Sequence, residues 1–435
     1  MRKRTILSLS LAVACAASQL HAVNYNANSP GGDWDTSGTW DTAGFPAAAD
    51  NATIGNLAGA NAVSLDGNQA ANDVLVNSGD GSLDLSTFNL TANFLNVDNG
   101  VLMRSAGSTL TLNRLDARNG STVQTLAGDS IVQNLFVFDA GSTLNQNGNI
   151  SNTGLDVHVG QNGGDYNLGA FNLTANYLHV GENGGTGTTF NRVAGSTLTL
   201  NRMDVRNGTT VQTLAGDSIV QNLFVFDSGS TLNQSGNISN AGLVIHVGQG
   251  GGIYNQGSND ITASDMYVGE NGGVATYTRS AGSNLTLGRF DVREGASAQL
   301  LTGDVINNLL LLNGASTAST TVGGTTITGV TDNGGLQLND SSVYTLNFND
   351  PSVNSYIWAF RILGNQTSQL DTFITNGRLV VNESGLSAAN QALFSDYTTY
   401  DGIYTYVGFT ALAVPEPASL SLLGLGALGM LRRRR

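Results

Sequence analysis

A twelve-residue segment of this chain returns almost unchanged further along it. Gly107-Ser-Thr-Leu-Thr-Leu-Asn-Arg-Leu-Asp-Ala-Arg118 reappears at Gly195 to Arg206, 88 residues later, and in weaker form at Gly282 to Arg293. Ser130-Ile-Val-Gln-Asn-Leu-Phe-Val-Phe-Asp139 reappears without a change at Ser218 to Asp227. A shorter beat runs inside the long one. The last inward apolar residue of each strand-like triplet is expected at Ile54, Val76, Val97, Ala117, Phe138, Val159, Val180, Val205, Phe226, Val247, Val268, Val292 and Leu312. Most steps are 20 to 22 residues, and the two longer ones, to Val205 and Val292, carry Gly- or Thr-rich insertions. The long repeat is therefore about four short ones.

Each short unit has one grammar. An apolar-polar-apolar triplet such as Leu178-His179-Val180 is followed by a turn such as Glu182-Asn183-Gly184-Gly185. Period-2 alternation ending in turn residues describes a strand with one buried face. A single short strand cannot bury that face, but successive coils stacked in register bury one continuous core. About 20 residues per coil is too short for helical-hairpin repeats, and the leucine-rich repeat pattern is not held. With 56 Gly and 5 Pro, the composition supplies turns without collagen-like or Pro-rich character. The fold class expected is all-β: a parallel β-helix (β-solenoid) of about 13 coils, a rod on the order of 60 Å long at ~4.8 Å per coil. Leu95, Leu115, Phe136, Val157, Leu178, Met203, Phe224, Ile245, Met266 and Phe290 are expected to form one inner layer. The outward column beside it is expected to read Asn96, Asp116, Val137, His158, His179, Asp204, Val225, His246, Tyr267 and Asp291.

The two ends carry addresses. Residues 1–22 read as a secretory signal peptide of the Sec route: a basic start at Arg2-Lys3-Arg4, an apolar run from Ile6 to Ala17, and cleavage after Ala22. At the other end, Pro415-Glu416-Pro417 precedes an apolar run, Ala418 to Leu431, closed by Arg432, Arg433, Arg434 and Arg435. A largely apolar run of fourteen residues suits a transient transmembrane helix, and the Arg cluster should stay cytoplasmic. This three-part tail resembles the PEP-CTERM protein-sorting domain. The resemblance implies processing near Pro415-Glu416-Pro417 by an exosortase, transient residence in the inner membrane, and delivery to the envelope, surface or extracellular matrix of a Gram-negative bacterium. Residues 23–50, with Trp34, Trp40 and Phe45, are expected to cap the first coil. A Trp-x5-Trp start before strand repeats resembles autotransporter-type β-solenoid passengers, although the ~100 residues after the repeats cannot supply a membrane barrel. The organisation is thus 1–22 signal, 23–50 cap, 51–335 β-helix, 336–413 C-terminal β domain with a short helix in Leu386 to Phe394, and 414–435 sorting signal.

Charge narrows the function. Of 18 Lys and Arg, seven sit at the two ends, leaving 11 against 31 acids, about −20 for the body. Such a body repels phosphate backbones, which excludes nucleic acid as a partner. The single Cys, Cys15, lies in the leader, so no disulfide and no Cys-based metal site is expected. Chemistry on a solenoid must come from the outward columns. Arg114, Asp116 and Arg118, repeated as Arg202, Asp204 and Arg206 and again as Arg289, Asp291 and Arg293, form either an ion-pair row or a grip for an anionic sugar. A constellation built three times argues against catalysis. His158 and His179 fall on consecutive coils near Asp156, but no third ligand has motif spacing, so neither a metal nor a cofactor is expected. No catalytic residue is expected either: β-helix polysaccharide lyases and glycoside hydrolases need clustered acids or a basic group beside metal-binding acids. The sequence therefore reads as an exported structural or interaction protein associated with exopolysaccharide or biofilm. An adhesin and a β-helix lyase or hydrolase are the alternatives.

Overall fold

The computed structural model describes residues 22–409 apart from residue 29 and the segments 56–60, 78–80, 185–186, 325–327, 352–356 and 392–397. The short beat is a coil. In the coil that starts at Leu110, inward residues fall at Leu110 and Leu112, and then at Leu115 and Ala117. The alternation resets at the half-buried pair Asn113-Arg114, so the one strand Leu110–Arg118 serves two faces. Asn119 (φ 51°) and Gly120 (φ 86°) then turn the chain through the left-handed region that Asn and Gly tolerate. The strand Thr122–Leu126 makes the third face, with Val123 and Thr125 inside.

Each strand pairs in parallel with its counterpart one coil on. Leu95 pairs with Leu115, Leu115 with Leu135, Val157 with Leu178, Leu178 with Met203, and Met266 with Phe290. The parallel β-solenoid of about 13 turns is therefore what the repeat encodes. The inner columns are fully buried apolar stacks, and each such side chain contributes roughly 1.5–3 kcal/mol by leaving water. The third face adds larger interior groups. Tyr254 lies fully buried and donates its hydroxyl to Gln234 Oε1 at 2.7 Å, and Gln234 Nε2 donates to the Gly236 and Asp260 carbonyls at 2.8 and 3.0 Å. Tyr166 and Gln146 repeat the device 88 residues earlier. Outside, asparagines bond coil to coil: Asn113 to Asn93 at 2.9 Å, Asn201 to Asn176 at 2.9 Å, Asn191 to Asn167 at 2.8 Å.

Two of the coils differ from the sequence expectation by one residue. Leu135 and Val137, not Phe136 and Phe138, continue the inner columns, and Leu223 and Val225 do the same in place of Phe224 and Phe226. Both alternations in Leu-Phe-Val-Phe are apolar, so hydrophobicity alone cannot choose between them. The neighbouring coils choose, because Leu135 must fit between Leu115 and Val157. The phenylalanines go outside.

The ends close the stack. Asn24–Asn26 and Gly31–Asp33 pair in parallel with Asn51–Ile54 and Asn61–Ser64, so the N-terminal segment is itself a first coil. Trp34 and Trp40 are buried edge to face, 5.2 Å apart, and Tyr25 meets Trp40 at 6.2 Å. Trp34 and Trp40 donate their ring N–H to the Pro46 and Trp34 carbonyls, while Phe45 is exposed. Parallel pairing also runs past residue 335: Val343–Pro351 pairs with Thr317–Gly324, and Leu379–Gly385 with Val343–Pro351. A helix at Thr367–Thr375, which the sequence pattern did not suggest, is inserted before the last of these strands. The short helix expected in Leu386 to Phe394 spans Ala388–Gln391. The stack ends where Tyr404–Phe409 pairs antiparallel with Ile357–Leu363 and with Thr398–Tyr400. Among the described residues no helix is long and apolar enough to cross a membrane. The expected sorting helix lies outside them.

Candidate functional site

The outward column of the second face carries the chemistry-bearing side chains. In register it reads Asn96, Asp116, Phe136, His158, His179, Asp204, Phe224, His246, Tyr267 and Asp291. Phe136 and Phe224 stand where Val137 and Val225 were expected, and they turn the column into a ladder of rings. Phe136 stacks on His158 with centroids 4.4 Å apart, and His158 stacks on His179 at 4.9 Å. Phe224 stacks on His246 at 4.4 Å, and His246 on Tyr267 at 5.2 Å. Parallel strands hold equivalent residues one strand spacing apart, close to the stacking distance of planar groups.

Arginines flank the ladder and seal it. Arg114 chelates Asp116 through Nε and Nη2, both at 2.7 Å, and Arg118 reaches the same carboxylate through Nη2 at 2.6 Å. Arg202 and Arg206 hold Asp204 with contacts of 2.7 Å, and Arg289 and Arg293 hold Asp291 at 2.7 and 2.5 Å. Each guanidinium also lies over a ring: Arg114 over Phe136 at 4.4 Å, Arg118 over Phe138 at 4.4 Å, Arg202 over Phe224 at 4.4 Å and Arg206 over Phe226 at 4.5 Å. The three aspartates are fully buried beneath these arginines, whose side chains keep about a third of their surface. What the triplets present to solvent is therefore guanidinium edge, with two cations over one anion. These planar, charged groups can donate hydrogen bonds to carboxylate or hydroxyl oxygens.

The two histidines meet a carboxylate that residue spacing did not reveal. Glu182 follows Gly181, whose φ of 85° and whose close approach to the Arg206 carbonyl leave no room for a Cβ (2.2 Å). This tight corner folds Glu182 back onto the ladder. Its Oε2 accepts from His158 Nδ1 at 2.8 Å and from Gln161 Nε2 at 3.1 Å, and its Oε1 lies 3.5 Å from His179 Nδ1. His179 Nδ1 is also 3.1 Å from Asp204 Oδ2. Burial alone would raise the Glu182 carboxyl, but the hydrogen bonds from His158 and Gln161 and the charges of both histidines outweigh it and hold the group at about 2. Asp204 is held at about 2 in the same way, with burial opposed by His179 and Arg202. Asp156 stays apart from this group and accepts from Asn176 at 3.1 Å.

A second set of residues was missed in the sequence. Arg104, Arg192 and Arg279 pair with Asp129, Asp217 and Asp304, with essentially no exposed side-chain surface on either partner. Each aspartate also accepts two backbone N–H groups, as Asp217 does from Leu198 and Leu214 at 2.8 Å. The signal was present: each Asp lies 25 residues after its Arg, and each pair recurs with the long repeat.

Comparison with known families gives the tail its meaning. Residues 413–435 match the family model described as the PEP-CTERM protein-sorting motif. The chain carries a PEP-CTERM sorting signal. That signal indicates an exported protein processed by exosortase and directed to the cell envelope or surface. Pro415, Glu416, Pro417 and the four arginines Arg432 to Arg435 all fall within the PEP-CTERM match and outside the described residues. The expected signal peptide, residues 1–22, lies outside them too, except for Ala22, which is exposed. No curated protein and no solved structure matches the chain.

Proposed function

We propose that this protein is a non-catalytic rod that leaves the cytoplasm by the Sec route of a Gram-negative bacterium. Its tail holds it briefly in the inner membrane, is cut near Pro415-Glu416-Pro417, and releases it to the surface or extracellular matrix. There its outer faces bind exopolysaccharide. The observation that carries this reading is the PEP-CTERM motif at residues 413–435, immediately after a β-solenoid body. The binding role is supported by the repetition of the outer surface. Exposed Asn ladders and three guanidinium-edged triplets recur along one rod, which suits a repeating polymer better than a single small substrate. The same repetition supports a non-catalytic body, because the buried aspartates of the triplets are consumed by their arginines.

The test is to fractionate cells producing the intact chain or a chain lacking residues 414–435, and to determine the mature C-terminus by mass spectrometry. A C-terminus near Pro415 in the surface fraction, and retention or loss of the truncated chain, is the expected result. Surface molecules that mostly retain Arg432 to Arg435 would contradict it. Sedimentation of the purified protein with the producing strain's exopolysaccharide, but not with neutral dextran, tests the binding step separately.

A further inference from the structure

The long repeat makes two nearly identical corners, and one difference between them points to a function. At the first, His158, Gln161, Gly181 and Glu182 surround the ladder; at the second, His246, Gln249, Gly269 and Glu270 do the same. The His–Glu contact is present in both, at 2.8 Å and 2.6 Å. On the next coil, however, the first corner places His179 where the second has Tyr267. A His–Glu pair therefore builds the corner without a second imidazole, and His179 is an addition to it.

We infer that His158, His179 and Glu182 form a divalent transition-metal site, best suited to Zn2+. Their ligand atoms lie within 4.8 Å of one another, and both Nδ1 atoms face the Glu182 carboxylate. Around a tetrahedral zinc at ~2.0–2.1 Å, neighbouring ligand atoms stand roughly 3.3 Å apart. The widest pair must close by about 1.5 Å, a movement within reach of side-chain rotation on two adjacent strands. Two imidazoles and one carboxylate are a zinc-type set, and the fourth position falls to water. The side chains of His158, His179 and Glu182 are 18, 12 and 15% exposed, so an ion can enter while the site stays mostly dry. Gln161 already bonds Glu182 at 3.1 Å, and Phe136 packs on the outer face of His158; both orient the ligands from behind. The inference stands independently of the export reading.

The second corner supplies the control. Untagged full-length chain is titrated with Zn2+ alone by calorimetry at pH 7.5, and with Co2+ followed by its visible absorption. One equivalent with micromolar or tighter affinity is expected, with the intense Co2+ bands of a four-coordinate ion. His179→Tyr, which copies the second corner into the first, should weaken binding at least tenfold. Tyr267→His, which copies the first corner into the second, should add a second equivalent. Absence of binding in the parent chain overturns the proposal, as does unchanged binding in His179→Tyr. Should His179→Tyr fail to fold, the gain by Tyr267→His still decides, and no second equivalent there overturns it.

Discussion

Replacing Arg192 by Met should open one coil and leave its neighbours closed. Arg192 and Asp217 are each about 1% exposed, with contacts of 2.5 and 2.7 Å. The guanidinium also donates to the Ser196 carbonyl at 3.1 Å and to Ser196 Oγ at 3.2 Å. Met fills most of the vacated volume, so the cost is electrostatic. Asp217 keeps its two backbone donors but loses the cation that compensates its burial. Removing one partner of a buried pair costs about 3–5 kcal/mol. Stacked coils contact only their neighbours, so this destabilisation stays local and global unfolding is a poor gauge of it. Hydrogen exchange resolved by peptide measures it directly. The Leu198 and Leu214 amides should exchange about 10²- to 4 × 10³-fold faster, at a factor of ten per 1.4 kcal/mol. Peptides around the equivalent Arg104–Asp129 pair report the unperturbed value in the same molecule. Arg192→Met/Asp217→Asn should recover part of the loss, because the neutral amide still accepts one backbone N–H. Exchange within threefold of the parent at Leu198 and Leu214, or an equal acceleration at Leu110, would refute the reasoning.

Three further outcomes follow from the same geometry. Leu223→Ala should cost about 2–5 kcal/mol as a core cavity, whereas Phe224→Ala should cost about 1–2 kcal/mol, the worth of its contacts with Arg202 and His246; thermal melting of the two variants in the opposite order would return the phenylalanine to the core. Burial raises the Asp332 carboxyl to about 6 from 3.8, with only Gly334 N–H bonding to offset it. The folded state therefore favours the protonated acid, and stability falls as pH rises from about 4 to about 6, by roughly 3 kcal/mol at 1.36 kcal/mol per pKa unit; Asp332→Asn should flatten that slope in a melting series. Tyr166, Tyr254, Tyr277 and Tyr344 are fully buried and their hydroxyls are raised above the ordinary value. The rise in absorbance at 295 nm between pH 10 and 12 should fall short of that in denaturant by at least four tyrosines.

The coil was legible because a solenoid repeats its constraints. Val76, Val97 and Ala117 meet the same demand one coil after another, so a single column of the sequence shows what the interior requires. The sequence does not place Phe136 and Phe224, because Leu-Phe-Val-Phe is apolar on both phases and only the partner strands show which phase is inside. The site was legible in part. The outward Arg-Asp-Arg triplets and the adjacent histidines could be read from register, since position in a coil decides what is stacked. Glu182 could not, because it reaches the histidines by a turn through Gly181 and not by strand alternation. The buried pairs Arg104–Asp129, Arg192–Asp217 and Arg279–Asp304 bridge different segments of the coil, and charge at such positions ordinarily signals surface.

Spin labels test the stacked coil most directly. Thr111, Thr199 and Thr286 occupy one outward column at intervals of four coils. In a Cys15→Ser background, pairs of Cys substitutions at these sites should give dipolar distances of about 19 Å for Thr111–Thr199 and for Thr199–Thr286, and about 38 Å for Thr111–Thr286, at ~4.8 Å per coil. Distances that add along a line are the expected result; a Thr111–Thr286 separation shorter than either four-coil distance would mean that the chain folds back on itself and is not a rod.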